Sequence, residues 1–185
     1  RPELKKAEYA ETKFLELSQE LAIEEDFEEL GLFTAHSVNR MNDIDFITEL
    51  LALLKYGITD KKKKADHLFE SDISVTEYNE LKSLFKKIVN RLSFFDEQHP
   101  IKDTRYRQKN DFYTLFSFLK DALDRSDEYW SLFYSSILYY ENDISPSNDK
   151  AFVFQDYAYH CVTQSNSSKA REARLTIFQE LFSNE

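Results

Sequence analysis

Three observations predict an all-α fold for this chain. Only two glycines and three prolines occur among its 185 residues, leaving little of the punctuation that strands, hairpins and phosphate-cradling loops require. Apolar residues recur at three- and four-residue intervals between charged neighbours, the spacing that gathers them on one side of a helix. Ser74-Val75-Thr76-Glu77 is a capping box, in which serine and glutamate satisfy each other's free backbone N–H groups at a helix start. The expectation is a single compact multi-helix domain of about seven to nine helices, spanning residues 1–185 as one helical domain.

Taken in order, Leu4, Ala7, Ala10, Phe14, Leu17 and Leu21 predict a first amphipathic helix of about six turns. Asp26 to Phe33 is an acidic connecting segment whose end is blurred by Gly31. From Asp43 the chain is strongly apolar, with Ile44, Ile47, Leu50, Leu51 and Leu54 on one face and Gly57 placed to stop the helix. Lys61 to Lys64 open a short segment ending near Phe69. Behind the capping box, Tyr78, Leu81, Leu84, Phe85, Ile88 and Leu92 make a long stripe that fades by Asp96, and His99-Pro100 marks a loop. Asp111 to Leu123 and Ser126 to Tyr140 read as a helical pair parted by Asp124-Arg125. A polar loop around Pro146 follows. Ala151 to Thr163 fits helix or strand by pattern, and its neighbours favour helix. The last helix starts near Ser168, with Leu175, Phe178, Leu181 and Phe182 inward.

Phenylalanine (16) and tyrosine (11) supply ample apolar area for a core. The net charge of −10 disfavours indiscriminate binding to nucleic acid or anionic membrane. The charge is segregated, however. Residues 1–34 carry 4 basic and 10 acidic side chains, residues 61–110 carry 12 and 8, and residues 111–160 carry 3 and 9. The single cysteine, Cys161, cannot form an internal disulfide, and no apolar run of membrane-spanning length occurs, which points to a reducing cytoplasm. The chain opens on Arg1 within a helical pattern, as a piece of a longer protein would.

No metal, cofactor or catalytic constellation is expected. The four histidines lack the i, i+4 spacing of a zinc helix, and His160 and Cys161 point about 100° apart on a helix. A phosphate loop or nucleophile elbow would need more glycine than the chain has. Paired carboxylates such as Asp43 and Asp45 already have work to do opposite a helix macrodipole. Arg40, three residues before Asp43, is not required for helix formation, and the two are candidates for a structural brace.

Two basic clusters are candidate phosphate or DNA contacts. One joins Lys61, Lys62, Lys63 and Lys64 with Lys102, Arg105, Arg107 and Lys109 around Tyr106, a set suited to salt-dependent contact with a nucleic-acid backbone or simply to a solvated surface. The other is Asn166-Ser-Ser-Lys-Ala-Arg-Glu-Ala-Arg174. Its serines can cap a helix whose first turns carry Lys169, Arg171 and Arg174, the unfavourable end for cations. Acids from another helix could compensate, or the three could hold an anion together with free N–H groups.

In order, RPELKKAEYAETKFLELSQELA, RMNDIDFITELLALLKYG and NSSKAREAR together resemble the helical region of GmrSD-type restriction proteins. Glu3, Lys5, Lys6, Ala7, Phe14 and Leu17 match the opening of that region loosely. Arg40, Met41, Asp43 and Asp45 match its Arg-Met-x-Asp-x-acid helix start more specifically. Glu49 stands where the family often has a basic residue, and the family's Asp-Gly-Gln-Gln-Arg type catalytic loop does not occur in these residues. The resemblance implies a non-catalytic helical accessory domain of a phage-defence protein, positioning an upstream ParB-like nuclease and nucleotide-hydrolysing domain, with DNA as a further partner and Arg40, Arg171 and Arg174 as internal braces or phosphate contacts. The rival expectations are a stand-alone helical protein–protein interaction module and, more remotely, an enzyme using clustered carboxylates with a divalent ion.

Overall fold

The computed structural model describes residues 8–60, 63–146 and 154–182. Among the described residues the protein is all-α, with ten α-helices, two short 3-10 turns and no strand. The aromatic stretch whose pattern allowed either helix or strand is therefore helical over Gln155–Val162. No helix among the described residues is long and apolar enough to cross a membrane. The helices fall into two compact units, Arg1–Ser93 and Phe94–Glu185.

In the first unit, α1 (Lys13–Ala22) starts later than the apolar pattern suggests. The chain turns at residues 9–12, where the Thr12 N–H donates to the Tyr9 carbonyl and the Thr12 hydroxyl accepts from Leu15 N–H at 3.3 Å. A second cap comes from far along the chain. The Asp72 carboxylate accepts from the backbone N–H groups of Phe14 (2.9 Å) and Lys13 (3.1 Å). Asp72 does this from a left-handed conformation, φ 58°, which a short polar side chain tolerates better than most. Apolar periodicity carries no information about such a cap; the part of the expected helix over residues 1–7 lies outside the described residues, and beyond it the helix starts only at Lys13.

Two short helices that the sequence pattern did not separate, α2 (Glu25–Glu29) and α3 (Ala35–Asn39), lead to α4 (Asn42–Tyr56). Met41 turns the chain into α4 at φ 53°, and Gly57 ends it at φ 75°, a conformation in which a Cβ is strained. The apolar run makes α4 central: Phe46, Ile47, Leu50, Leu51 and Leu53 are buried, and the helix packs against α1 and α5 (Lys63–Ser71). The long helix α6 (Val75–Gln98) begins at the capping box as predicted, with Ser74 N–H donating to Glu77 (2.8 Å) and Glu77 N–H donating to the Ser74 hydroxyl (3.2 Å). Its side chains tie it to α1, through Tyr78 and Lys82 to Glu20, and to the start of α2, through Lys86 to Glu24.

One consequence is a specific acid sensitivity. The hydrogen bond from Lys55, then those from Ser74, hold the Glu77 carboxyl at about 2 against an ordinary value of 4.5. Lys82 and then Tyr78 lower the Glu20 carboxyl in the same way. A carboxylate whose folded pKa lies below its unfolded one adds stability above the ordinary range and loses it as pH falls through the folded value. Glu77→Gln is therefore expected to be less stable at neutral pH yet to lose less stability between pH 4.5 and about 2, measured as the urea midpoint against pH by circular dichroism. Parallel profiles for variant and parent would reject this.

In the second unit, the end of α6 leads through 3-10 turns at Ile101–Asp103 and Arg105–Arg107 into α7 (Lys109–Lys120). Then come α8 (Asp127–Tyr139), α9 (Gln155–Val162) and α10 (Ser168–Phe182). Ser126 caps α8 through Tyr129 N–H, and Ser167 caps α10 through Ala170 N–H. α10 packs on α7, α9 and α8. Its Phe178 and Phe182 are buried, whereas Leu175 and Leu181 are only half-buried. The apolar centre is aromatic: Phe118 stacks on Phe133 at 4.8 Å, Phe95 stacks on Tyr134 at 4.6 Å, and Trp130 meets Phe133 edge-on at 5.3 Å.

Candidate functional site

The most concentrated set of polar groups lies inside the second unit, around Asp111. This residue sits in the first turn of α7 and is 1% exposed. One carboxylate oxygen faces the Arg105 guanidinium at 3.1 Å. The other accepts the Tyr157 hydroxyl at 2.9 Å and lies 3.6 Å from the Cys161 thiol. Asn110 donates to the Cys161 carbonyl, and the Arg105 backbone N–H donates to Glu141. Two helices, α7 and α9, and a 3-10 turn thus meet on one carboxylate.

Arg174 of α10 adds a second junction beside it, with no solvent exposure at all. Its Nε donates to the Thr114 hydroxyl at 3.2 Å, and its Nη1 donates to the carbonyls of His160 (2.5 Å) and Ser165 (2.9 Å). The His160 carbonyl lies in the last turn of α9, the negative pole of that helix, and Ser165 follows just beyond it, so backbone dipoles stabilise the cation. Arg171, 4% exposed, lies over the Tyr113 ring at 4.0 Å, an arrangement that suits a planar guanidinium. Because Tyr113 and Thr114 are adjacent on α7, both arginines reach the same helix from one side of α10.

The electrostatics of this centre follow from burial. Desolvation raises the Asp111 carboxyl above its ordinary value, and the Arg105 charge opposes that shift. Burial, then the Asp111 charge, push the Cys161 thiol up to about 12. Tyr157 is raised well above its ordinary value, again chiefly by burial. A thiol held at about 12 is a poor source of thiolate nucleophile at neutral pH. These groups brace one another, and their chemistry is that of a helix junction.

Of the residues singled out as phosphate or DNA contacts, Arg171 and Arg174 are withdrawn into this interior, and Arg105 is engaged with Asp111. The cations at the start of α10 meet the carbonyls of His160 and Ser165 and an aromatic face, and the Arg174 charge also acts on the Asp111 carboxylate of α7. Arg107 and Lys169 are exposed, and Arg107 donates to the Lys102 carbonyl at 3.4 Å. Lys63 is exposed in the first unit, while Lys64 lies over the Tyr56 ring at 4.9 Å. Lys61 and Lys62 lie outside the described residues, as do Glu3, Lys5, Lys6 and Ala7 of the opening motif.

The expected Arg40–Asp43 brace does not form. Arg40 is exposed at the end of α3, whereas Asp43 is 6% exposed in the first turn of α4, and no ion pair joins them among the described residues. Met41 between them turns the backbone through the left-handed region, which separates side chains that three-residue spacing in a continuous helix would bring together. Among the described residues, no three His, Cys, Asp or Glu side chains gather as a metal site would require. Sequence reasoning missed Asp111, Thr114 and Tyr157. Asp111 looked like one more acid at a helix start, and nothing local marks it as the one that is buried.

Fold and site together define an all-α protein whose buried polar centre ties helices to one another. Compared with protein-family models, curated proteins and solved structures, the chain matches none.

Proposed function

We propose that this chain is a non-catalytic helical accessory module of the GmrSD restriction type, acting in the reducing cytoplasm to position a ParB-like nuclease and nucleotide-hydrolysing domain. The supporting observation is the role of Arg174, the last residue of the NSSKAREAR stretch that carries part of that resemblance. It is bonded to Thr114, His160 and Ser165 in the interior, as a residue that holds a rigid scaffold would be. The groups most capable of chemistry are bonded together, with Asp111 and Tyr157 buried and Cys161 half-buried, which also favours a scaffold over an enzyme.

In this reading DNA is touched by the exposed cations among the expected contacts, which for the described residues are Lys63 of the first unit and Arg107 and Lys169 of the second. The expected result is weak DNA binding whose affinity falls steeply with salt, with Lys63→Glu and Arg107→Glu each reducing the salt slope by about 1. Fluorescence anisotropy on a labelled duplex over a salt series measures it. Metal-dependent cleavage of DNA by the purified chain alone would overturn the non-catalytic reading. A catalytic loop of the Asp-Gly-Gln-Gln-Arg type encoded upstream of Arg1 would support the family reading.

A second reading, a helical protein–protein interaction module, has its own observation. Leu132 (58% exposed) and Tyr139 (77%) stand seven residues apart on α8, and Tyr159 and Val162 are exposed on α9. Seven-residue spacing aligns side chains on one helix face, the pattern of a helix that meets a partner. Retained DNA binding by a Leu132→Ser, Tyr139→Ser double variant would separate this surface from the proposed DNA contacts.

A further inference from the structure

In the first unit a cavity of about 160 Å³ opens between α1, α2, α3 and the start of α4. Phe27, Phe33 and Val38 form its apolar wall, and Asp43 and Glu28 its acidic one. We propose that this cavity binds a small organic cation, an ammonium group carried on an apolar body of about phenyl size.

The size follows from the volume, since an apolar protein cavity of about 150 Å³ accepts benzene. The charge follows from Asp43. This residue is 6% exposed, and its buried Oδ1 has no hydrogen-bond partner among the described residues. A buried carboxylate oxygen has given up water, and leaving it unpaired is costly unless a donor arrives. It stands in the first turn of α4, an end of a helix that suits an anion.

Among the described residues, no cation of the chain pairs with the Asp43 Oδ1. No lysine or arginine occurs between Lys13 and Arg40, while seven acids do. Lys82 and Lys86, which reach this region from α6, are already paired with Glu20 and Glu24. An anion would be repelled, and a neutral ligand would leave Asp43 unbalanced. A divalent ion needs about six to eight oxygen ligands, far more than one buried and one exposed carboxylate offer. An ammonium donor answers the carboxylate, and the aromatic wall is suited to the rest of the molecule and to its charge.

The test uses the full chain with benzylammonium as probe and benzyl alcohol as its neutral counterpart, followed by isothermal titration and by chemical shifts of the Phe33 and Val38 resonances. Saturable binding of one benzylammonium per chain is expected, at least tenfold tighter than benzyl alcohol and weakened at least tenfold in Asp43→Asn. Val38→Phe fills the cavity from a partly exposed position and is expected to abolish binding with helical circular dichroism unchanged, which keeps the test decisive should Asp43→Asn fold poorly. Equal binding of the two probes, undiminished binding by Asp43→Asn or by folded Val38→Phe, or no binding to the parent chain at ~10 mM, would each overturn the proposal.

Discussion

Arg174→Met is expected to destabilise the second unit by about 3–5 kcal/mol, the scale found when one member of a buried charged network is removed. Trp130 is the only tryptophan and is buried in the same unit, so its fluorescence during urea unfolding reports the loss directly. The effect has three sources. The carbonyls of His160 and Ser165 and the Thr114 hydroxyl lose their donor inside the protein, and each hydrogen bond from a charged group contributes about 1.5–3 kcal/mol. The end of α9 loses the cation that balances its macrodipole. Asp111, whose carboxylate is also stabilised by the Arg174 charge, is left with Arg105 alone. Arg174→Lys should recover less than half of the loss, because one ammonium cannot reproduce a planar fork that reaches three acceptors in different directions. A loss below about 1 kcal/mol for Arg174→Met would place it within the ordinary run of substitutions and refute its role as a brace.

Phe133→Ala is expected to cost about 3–5 kcal/mol, the usual range for removing a fully buried phenylalanine. Phe133 has no exposure and meets the rings of Phe95, Phe118, Trp130, Phe178 and Phe182 within 4.8 to 6.1 Å. Its loss therefore opens a cavity where the end of α6, α7, α8 and α10 converge, and fixed rings on every side cannot collapse into it. The neighbouring Leu132 is 58% exposed on the same helix, so Leu132→Ala should change stability by no more than about 0.5 kcal/mol. Comparable losses for the two variants would show that the ring cluster is not the centre of this unit.

Much of the fold was legible because it depends on neighbours in sequence. Ser74 and Glu77 cap α6 across three residues, Gly57 stops α4 with the φ that glycine favours, and Phe46, Ile47, Leu50, Leu51 and Leu53 of α4 are buried in the first unit. The basic stretch before Arg174 was legible as an electrostatic anomaly, but not in its solution. A cation misplaced on its own helix reveals that something compensates, and the residues that do so lie 60 positions away at Thr114 and, on a different helix, at His160 and just past its end at Ser165.

The start of α1 at Lys13 was hidden for a related reason. Its second cap, Asp72, is 58 residues from Phe14, too far along the chain for local apolar periodicity to register. Asp43 and Arg40 show the opposite failure. Their spacing suggested a contact that the left-handed Met41 prevents, and the buried carboxylate faces a cavity instead.

By itself the amino-acid order determined that this protein is helical and where most of its helices begin and end, since capping, glycine geometry and apolar periodicity act within a few residues. Only the tertiary structure decided which charged side chains are withdrawn from water and what they meet there. Asp111 and Asp43 both stand in the first turn of a helix, yet one finds an arginine, a tyrosine and a thiol while the other keeps an unpaired oxygen. That difference arises from packing between distant segments, where low dielectric turns the presence or absence of a partner into a large free energy.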